Sequence, residues 1–359
     1  MKSSIRSAGE LTGLTGLRGL AALTVYVAHS RFEELIPAFR PVCDFFEWPA
    51  LAVDLFFMLS GFVLVHVYQD KLGLAGGVSW RSYLAARFAR IVPLYLITLA
   101  ATLALFVAGS VVLKKWPAHI TWDVVLTNLL LLQNWPGFFH GSLNVPSWSL
   151  SVEFLCYVLI MPLAILPGRH LLRPSRVVAV LVLLLMARAS VGDTIDGWVA
   201  LTRGVTCFLA GGLLHRFHAA QSDRLMAGVA ALGAAGFMVL RSLSAWAGLF
   251  SHWLLMSFPF LIVGLGASVD SRVHQFFRSK AMLWLGDISF SMYLWQGPIA
   301  MITRYQIRPR LAGSSPPILA LWMLAELCLI VVISTLSFHR IEMPLRNWTR
   351  AFLAKGAGR

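Results

Sequence analysis

Long apolar segments recur along the whole chain, and they constrain its fold more than any other feature. A helix needs about 20 predominantly apolar residues to cross the hydrocarbon core of a bilayer. Hydrophobic residues make up 58% of the 359 residues and charged residues 13%, about half the roughly 25% of a soluble domain. These features exclude a soluble enzyme, a disordered chain and a small disulfide scaffold. They predict an all-α polytopic membrane protein, with one membrane domain over residues 1–359 and no separate soluble domain.

Ten segments are long and apolar enough to be predicted as transmembrane helices. A further apolar run at 123–133 is short for a span, so we interpret it as a re-entrant or interfacial segment. The ten predicted spans are 12–30, 50–69, 91–112, 148–167, 177–192, 198–217, 225–242, 249–268, 282–302 and 317–338.

The positions of Lys and Arg predict the orientation of these spans. If the N-terminus is cytoplasmic, 19 of the 30 basic residues lie on the cytoplasmic side and 8 on the outer side, while Arg18, Arg188 and Arg203 lie within spans. Because cytoplasmic loops carry an excess of Lys and Arg, both termini are predicted to face the cytoplasm. The same rule explains the formal net charge of +14, so we predict membrane lipid as a partner and no nucleic acid.

The cysteines do not indicate a metal or disulfide framework. Cys43, Cys156, Cys207 and Cys328 are scattered and have no CxxC spacing, which argues against both kinds of site. We therefore predict no metal ion and no permanently bound cofactor. The first apolar run continues into the motif described below, so we expect no cleavable signal peptide.

Arg18 and His29 are ionisable residues in the first predicted span. They are 11 residues apart, which places them on nearly the same helix face at a separation of roughly 16 Å along the axis. Gly13, Gly16 and Gly19 on this helix allow close approach of a neighbour or a ligand. Because a charge in the membrane is costly, such residues are candidates for function. The alternative is an interfacial histidine and an arginine that extends to the headgroups.

Two carboxylates are predicted at the outer level of the membrane, near His29. Asp54 lies near the outer end of the second span, and Glu153 lies in a span that also runs inward. Ser149, Glu153 and Tyr157 are spaced i, i+4 and i+8 and so share a helix face. The set suits acid–base chemistry, and its alternative is a structural buried ion pair or hydrogen-bond network.

Other polar residues fall near the inner side or later in the chain. Arg87 and Arg90 precede the third span, where arginine suits bidentate phosphate contact, although positive-inside charge alone would explain them. The ninth span carries a polar stripe of Ser289, Tyr293 and Gln296. For this stripe, and for Arg203 and Glu342, we favour a structural role in helix packing.

Six segments, in this order, resemble the acyltransferase-3 family of integral-membrane acyltransferases. The first matches its Arg-x10-His signature, and the fourth matches its Trp-Ser-Leu-x-x-Glu segment. One departure is Gln296, where the family commonly carries histidine. The six segments are Gly16–His29, Val53–Phe62, Arg87–Tyr95, Ser147–Phe154, Gly286–Pro298 and Glu342–Pro344.

The resemblance implies a membrane O-acyltransferase in the bacterial plasma membrane. Such an enzyme moves an acyl group, usually acetyl, from cytoplasmic acyl-CoA as co-substrate to a hydroxyl of an extracytoplasmic carbohydrate. His29 would act as general base or as acyl carrier, with Glu153 or Asp54 orienting its ring. The phosphates would bind to Arg18, Arg87 and Arg90, and the oxyanion would need a donor such as Arg18, Tyr293 or a serine. Further polar groups of the pocket are predicted to be Ser60, Ser149, Tyr157, Tyr293 and Gln296.

Two other classes of function stay open at this point. A transporter or exporter of a small polar molecule would also need many helices and buried charges, but we find no paired halves with matching interrupted helices. A membrane scaffold or sensor would use the buried charges only for packing. The sequence leaves the acceptor, the acyl group and the oligomeric state open, although the outer loop 134–147, with Trp135, His140 and Asn144, is expected to touch the acceptor.

Overall fold

The computed structural model describes residues 11–46, 49–74, 77–165, 174–195, 197–218, 223–247, 255, 257–266, 271–311 and 313–356. In these ranges the fold is all-α, and the only β pairing is an isolated bridge between Leu72 and Val78. The α-helices of the described part are α1 Thr12–Ser30, α2 Arg40–Phe46, α3 Pro49–Tyr68, α4 Trp80–Leu113, α5 Trp122–Leu129, α6 Trp148–Leu155, α7 Met161–Ile165, α8 Pro174–Ala189, α9 Gly197–His218, α10 Asp223–Ala247, α11 Phe258–Gly266, α12 Arg272–Phe277, α13 Lys280–Ile302, α14 Arg308–Leu311, α15 Pro316–Ser337 and α16 Met343–Gly356. Turns of π-helix occur at Cys156–Ile160, Thr303–Ile307 and Phe338–Glu342.

Each of the ten predicted spans overlaps a helix, which confirms an all-α membrane protein. The span at 249–268 is described only at 255 and 257–266. Within the described residues, four helical stretches are both long and apolar enough to cross a membrane: Pro49–Tyr68, Trp80–Val112, Gly197–Arg216 and Pro316–Trp348. The number of ten crossings and the cytoplasmic position of both termini therefore stay predictions.

Two helices are longer than the apolar pattern predicts. Helix α4 begins at Trp80, where the Ser79 side chain accepts a hydrogen bond from the Ser82 backbone amide, and not near residue 91. Helix α15 continues through a π-turn into α16 and ends at Gly356. The sequence prediction was wrong at these ends because it followed hydrophobicity, and a helix can continue with polar residues beyond the apolar core.

The short apolar run at 123–133 does not form a span. It contains α5, whose eight residues extend only about 12 Å. The following loop is held by buried amides, since Asn128 donates to the Gly141 carbonyl and its side-chain oxygen accepts from the Leu143 amide. The Tyr95 hydroxyl of α4 donates to the Asn128 carbonyl, so this segment packs against the helix bundle.

Helices α1 and α13 run parallel in close contact. A Cβ atom at Gly19 would meet the backbone of Gly286 on α13, and one at Gly16 would overlap the carbonyl of Phe277 at the end of the preceding α12. At the other end of α1, Arg308 donates a hydrogen bond to the carbonyl of Ser30. The close approach predicted from the glycines of the first span is therefore confirmed, and it fixes the helix that carries Arg18 and His29.

Helices α3 and α9 form a second parallel pair with equally close backbones. A Cβ atom at Gly61 would overlap the Phe208 carbonyl, and one at Gly211 would overlap the Met58 carbonyl. The pairing places Asp54 beside Arg203 at one end. It places His66 beside His215 at the other.

Candidate active site

A cavity of about 590 Å³ lies between α1, α3, α4, α6 and α13, within the usual size range of small-molecule sites. It extends from helix ends, at Leu11 and Lys71, to residues in the middle of helices, such as Tyr293. Its charged and polar lining residues are Thr15, Arg18, Ser60, His66, Tyr68, Lys71, Arg87, Arg90, Ser149, Glu153, Tyr157, Ser289 and Tyr293. Most of the residues predicted for the pocket are therefore brought together in one place.

Three arginines face this cavity from two helices. Arg87 donates to the Tyr68 hydroxyl over 3.4 Å, and its guanidinium lies 5.6 Å from the Tyr68 ring centroid and 6.0 Å from that of Tyr157. Arg18 and Arg90 make no hydrogen bond or ion pair within 4 Å to any other residue in the described ranges. Arg87 and Arg90 lie inside α4, which corrects the prediction that they precede the helix.

Glu153 is the carboxylate that lines the cavity. Its Oε1 atom accepts hydrogen bonds from the Ser60 hydroxyl and the Tyr157 hydroxyl, each over 2.5 Å. Tyr157 belongs to the π-turn that follows α6, a local widening that is frequent at functional sites. Deeper in the cavity, the hydroxyls of Ser149 and Tyr293 lie 2.8 Å apart. Glu153 thus shares a cavity with the arginines and does not lie at the outer level with His29.

His29 lies outside the cavity, near the last turn of α1. Its Nδ1 atom is 2.7 Å from the Val25 carbonyl oxygen. A carbonyl only accepts hydrogen bonds, so Nδ1 carries the proton and Nε2 of the neutral ring is left with a lone pair. The ring is exposed, and neither Asp54 nor Glu153 contacts it. The predicted carboxylate partner is therefore replaced by a backbone carbonyl of the same helix.

Asp54 is fully buried in an ion network apart from the cavity. Arg188 donates from Nε to one carboxylate oxygen over 2.7 Å, and Arg203 donates to the other over 3.2 Å. Arg188 also pairs with Asp193 at 2.6 Å, and the Arg203 guanidinium lies 4.9 Å from the ring centroid of Trp148. Arg203 is thus paired. Because both oxygens of Asp54 are occupied, the arrangement favours the structural alternative for Asp54 over contact with His29.

Gln296 is buried and does not line the cavity. Its side chain donates to the Tyr293 carbonyl over 2.9 Å and is 3% exposed. In the neighbouring loop, Asn144 is 1% exposed and donates to Thr98 and to the Leu294 carbonyl. These bonds tie Asn144 into the helix bundle, in contrast to the predicted contact with an acceptor.

His140, in the loop before α6, contacts Asp123 of α5 at the surface. His140 Nδ1 lies 3.2 Å from Asp123, whose side chain is 60% exposed. The pKa of Asp123 lies below its usual range, chiefly because the Thr121 side chain hydrogen-bonds to the carboxylate, with His140 adding to the effect. Trp135 donates from its indole to the Ser151 carbonyl. Trp135, His140 and Asn144 were expected to touch an acceptor. Of these, His140 contacts an exposed residue, Asp123.

Several polar residues of the structure were missed by the sequence analysis. His66, Tyr68 and Lys71 line the cavity at the end of α3 and just after it. Ser291 was also missed, and it donates a hydrogen bond over 2.9 Å to Glu342, which the sequence did indicate. Glu326 on α15 is 2% exposed and lies 3.7 Å from Arg308. The Glu326–Arg308 pair had a signal in the sequence, since a glutamate stands inside the apolar run 317–338. No three His, Cys, Asp or Glu side chains in the described ranges are placed to share a metal ion.

Comparison with known proteins gives the class of the chain. A family model described as an acyltransferase domain matches residues 11–339. The chain belongs to the acyltransferase-3 family, and the enzyme class of that family is acyltransferase.

Individual relatives are similar over different parts of the chain. Acyltransferase MdmB of Streptomyces mycarofaciens is 38% identical over 159 residues, which cover 42% of this chain and 38% of that protein. O-acetyltransferase OatA of Staphylococcus aureus is 23% identical over 378 residues, covering 97% of this chain and 60% of that protein. Protein 2 in picA locus of Rhizobium radiobacter is 44% identical over 157 residues, covering 40% of this chain and 76% of that protein. The chain thus spans less than two thirds of the length of the first two. No solved structure matched the chain.

Proposed function

We propose that the chain transfers an acetyl or other short acyl group from acyl-CoA to a hydroxyl of a carbohydrate or glycoconjugate, at the bacterial plasma membrane. Acyl-CoA carries several phosphates at one end and a thioester at the end of a long flexible arm. Family membership and a cationic cavity that ends among hydroxyl groups support this donor. The positive-inside orientation would open the cavity to the cytoplasm and place His29 toward the outside.

The excess of positive charge in the cavity carries the proposal. Arg18, Lys71, Arg87 and Arg90 line it together with one carboxylate, Glu153. A cluster of cations in a helix bundle is costly unless an anion is bound. Arginine suits phosphate because its planar guanidinium forms bidentate, charge-assisted hydrogen bonds. Arg87 is oriented by two tyrosine rings, while Arg18 and Arg90 have donors available to a ligand.

The deeper part of the cavity suits the pantetheine arm and the thioester. Hydroxyls of Ser60, Tyr157, Ser149 and Tyr293 line it, and Glu153 orders the first two. Hydroxyl and guanidinium groups donate hydrogen bonds to a carbonyl oxygen. Arg18 and Tyr293 are the donors we assign to the thioester carbonyl while the arm lies in the cavity, before it extends along α1 to His29.

His29 is the residue proposed for the transfer step. Its Nε2 lone pair can take the proton of the acceptor hydroxyl while that oxygen attacks the thioester carbonyl. The CoA thiolate then leaves and receives the proton. In the alternative route Nε2 accepts the acyl group first and passes it to the hydroxyl. The roughly 16 Å between Arg18 and His29 means that the arm must extend along α1 beyond the cavity.

Equilibrium binding of acetyl-CoA to the purified full chain tests the donor. Arg90→Ala removes a charge-assisted contact worth about 1.5–3 kcal/mol, so the Kd should rise by about 10- to 100-fold. Arg81→Ala is the matched control, since Arg81 lies on the same helix, is exposed and does not line the cavity. Equal Kd values for the two variants, or no binding by the folded wild type, would contradict the donor assignment. Movement of a polar molecule into sealed vesicles without acyl-CoA would then favour a transporter.

A further inference from the structure

Glu326 and Arg308 form a buried ion pair at the end of α1 that carries His29. Glu326 lies in the middle of α15, within a helical stretch of mean hydropathy 2.4, and its side chain is 2% exposed. The Arg308 side chain is 10% exposed and lies 3.7 Å from it. A buried carboxylate in such a helix is costly and is a candidate for function. Neither residue belongs to the cavity.

The same arginine binds the backbone of α1. Arg308 donates to the Ser30 carbonyl, and Arg304 donates to the His29 carbonyl over 3.2 Å. The last carbonyls of a helix have no partner within the helix, and cations at this end are favourable. Helix α1 stops here because Arg31 adopts a left-handed conformation, with φ of 49°. Two side chains from the α13 side thus cap the turn that contains His29.

The π-turn at Thr303–Ile307 provides the local geometry for this contact. It extends α13 and leads directly into Arg308. A π-turn widens the helix and re-aims the side chains that follow it. Here Arg304 and Arg308 both reach α1, and Glu326 lies 3.7 Å from the same Nη2 atom of Arg308 that donates to Ser30. Arg308 therefore links the turn that contains His29 to α15.

We infer that Arg308, held by Glu326, is a positioning residue for His29. The inference rests on the proposed function, in which His29 performs the transfer. A tether on the Ser30 carbonyl and a hydrogen bond from Nδ1 to Val25 together determine where Nε2 points. Arg308 itself reaches neither the cavity nor the reacting atoms. Its loss should misplace the histidine and leave the acyl-CoA site intact.

The test measures kcat, KM and the acetyl-CoA Kd of purified full-length variants. Arg308→Ala should lower kcat by about 10²-fold, the usual effect of a misplacement of about 1 Å, with the acetyl-CoA Kd unchanged. Arg308→Lys should recover part of kcat, because lysine keeps the donor and the charge. Arg310→Ala is the control, since Arg310 is exposed and donates only to Gln306 of its own helix among the described residues.

Two outcomes would overturn the inference. One is wild-type kcat in Arg308→Ala. The other is loss of acetyl-CoA binding together with kcat in both Arg308 variants, which would mean a general structural role. His29→Ala separates this failure from that of the proposed function. Wild-type turnover in His29→Ala would contradict the proposed function itself. An inactive His29→Ala together with a fully active Arg308→Ala would contradict only the positioning role of Arg308.

Discussion

The Ser60 hydroxyl donates a hydrogen bond to Oε1 of Glu153 over 2.5 Å, although the two residues are 93 positions apart in the chain. Tyr157 donates to the same oxygen. One carboxylate therefore joins α3 to the π-turn after α6, on the wall of the cavity that holds the arginines. Glu153 acts, in this account, on the donor side of the reaction and through the hydroxyls that it orders.

Glu153→Gln should separate charge from hydrogen bonding at this position. The amide oxygen of glutamine can still accept from Ser60 and Tyr157, so the fold should persist. Loss of a negative charge beside the arginines should leave the acetyl-CoA Kd unchanged or lower it. A neutral amide accepts more weakly than a carboxylate, so the two hydroxyls should be held less firmly and kcat should fall by about 10²-fold. Steady-state kinetics with a parallel binding measurement checks this, and a weaker acetyl-CoA complex with unchanged kcat would show that the role assigned to Glu153 is wrong.

Asp54→Asn should affect stability more than chemistry. The change leaves two buried guanidiniums, of Arg188 and Arg203, without the carboxylate that they share. Breaking such a pair costs about 3–5 kcal/mol, which should appear as a lower Tm in detergent. Asp123→Asn is the control, because Asp123 is 60% exposed and should change stability by about 0.5 kcal/mol or less. An unchanged Tm with lost turnover would instead make Asp54 part of the chemistry.

Gly16→Ala should destabilise the fold by forcing α1 away from the backbone packed against it. A Cβ atom there overlaps the carbonyl of Phe277, and backbone cannot move as easily as a flexible side chain. Overpacking of this kind costs about 1–3 kcal/mol. Gly109→Ala offers the comparison, since nothing lies within 4 Å of the added atom. Thermal unfolding of both variants measures the difference, and equal Tm values would mean that α1 and α12 are not packed this closely.

Residues of the candidate site could be predicted from the sequence where a charged group stands in an apolar segment, because burying that charge is energetically costly. Arg18, Arg87, Arg90 and Glu153 are charged groups in or beside apolar segments, and all four line the cavity. Partners from distant parts of the chain were not predictable in this way. Asp54 binds Arg188 and Arg203, which are 134 and 149 residues away, and no local pattern connects them.

The ends of helices and the depth of a residue along a span were also not predictable from local sequence. Hydrophobicity located the apolar core of α4, yet the helix starts 11 residues earlier, at Trp80. Glu153 was placed at the level of His29 by counting residues along one span. The structure turns its side chain toward Ser60 because of how α3 and α6 pack, and packing between helices is not encoded in the hydropathy of either one. The π-turns likewise left no periodic signal.

Transfer of label from radiolabelled acetyl-CoA, by wild type and His29→Ala, tests the central claim most directly. The purified protein is supplied with a crude extract of cell-envelope glycans, and both CoA release and acetyl-CoA binding are followed. Wild type should place label in an alkali-labile glycan ester. His29→Ala should still bind acetyl-CoA, because His29 lies outside the cavity, but should transfer about 10²- to 10⁴-fold more slowly. Transfer at the wild-type rate by His29→Ala, or loss of acetyl-CoA binding in that variant, would contradict the role proposed for His29.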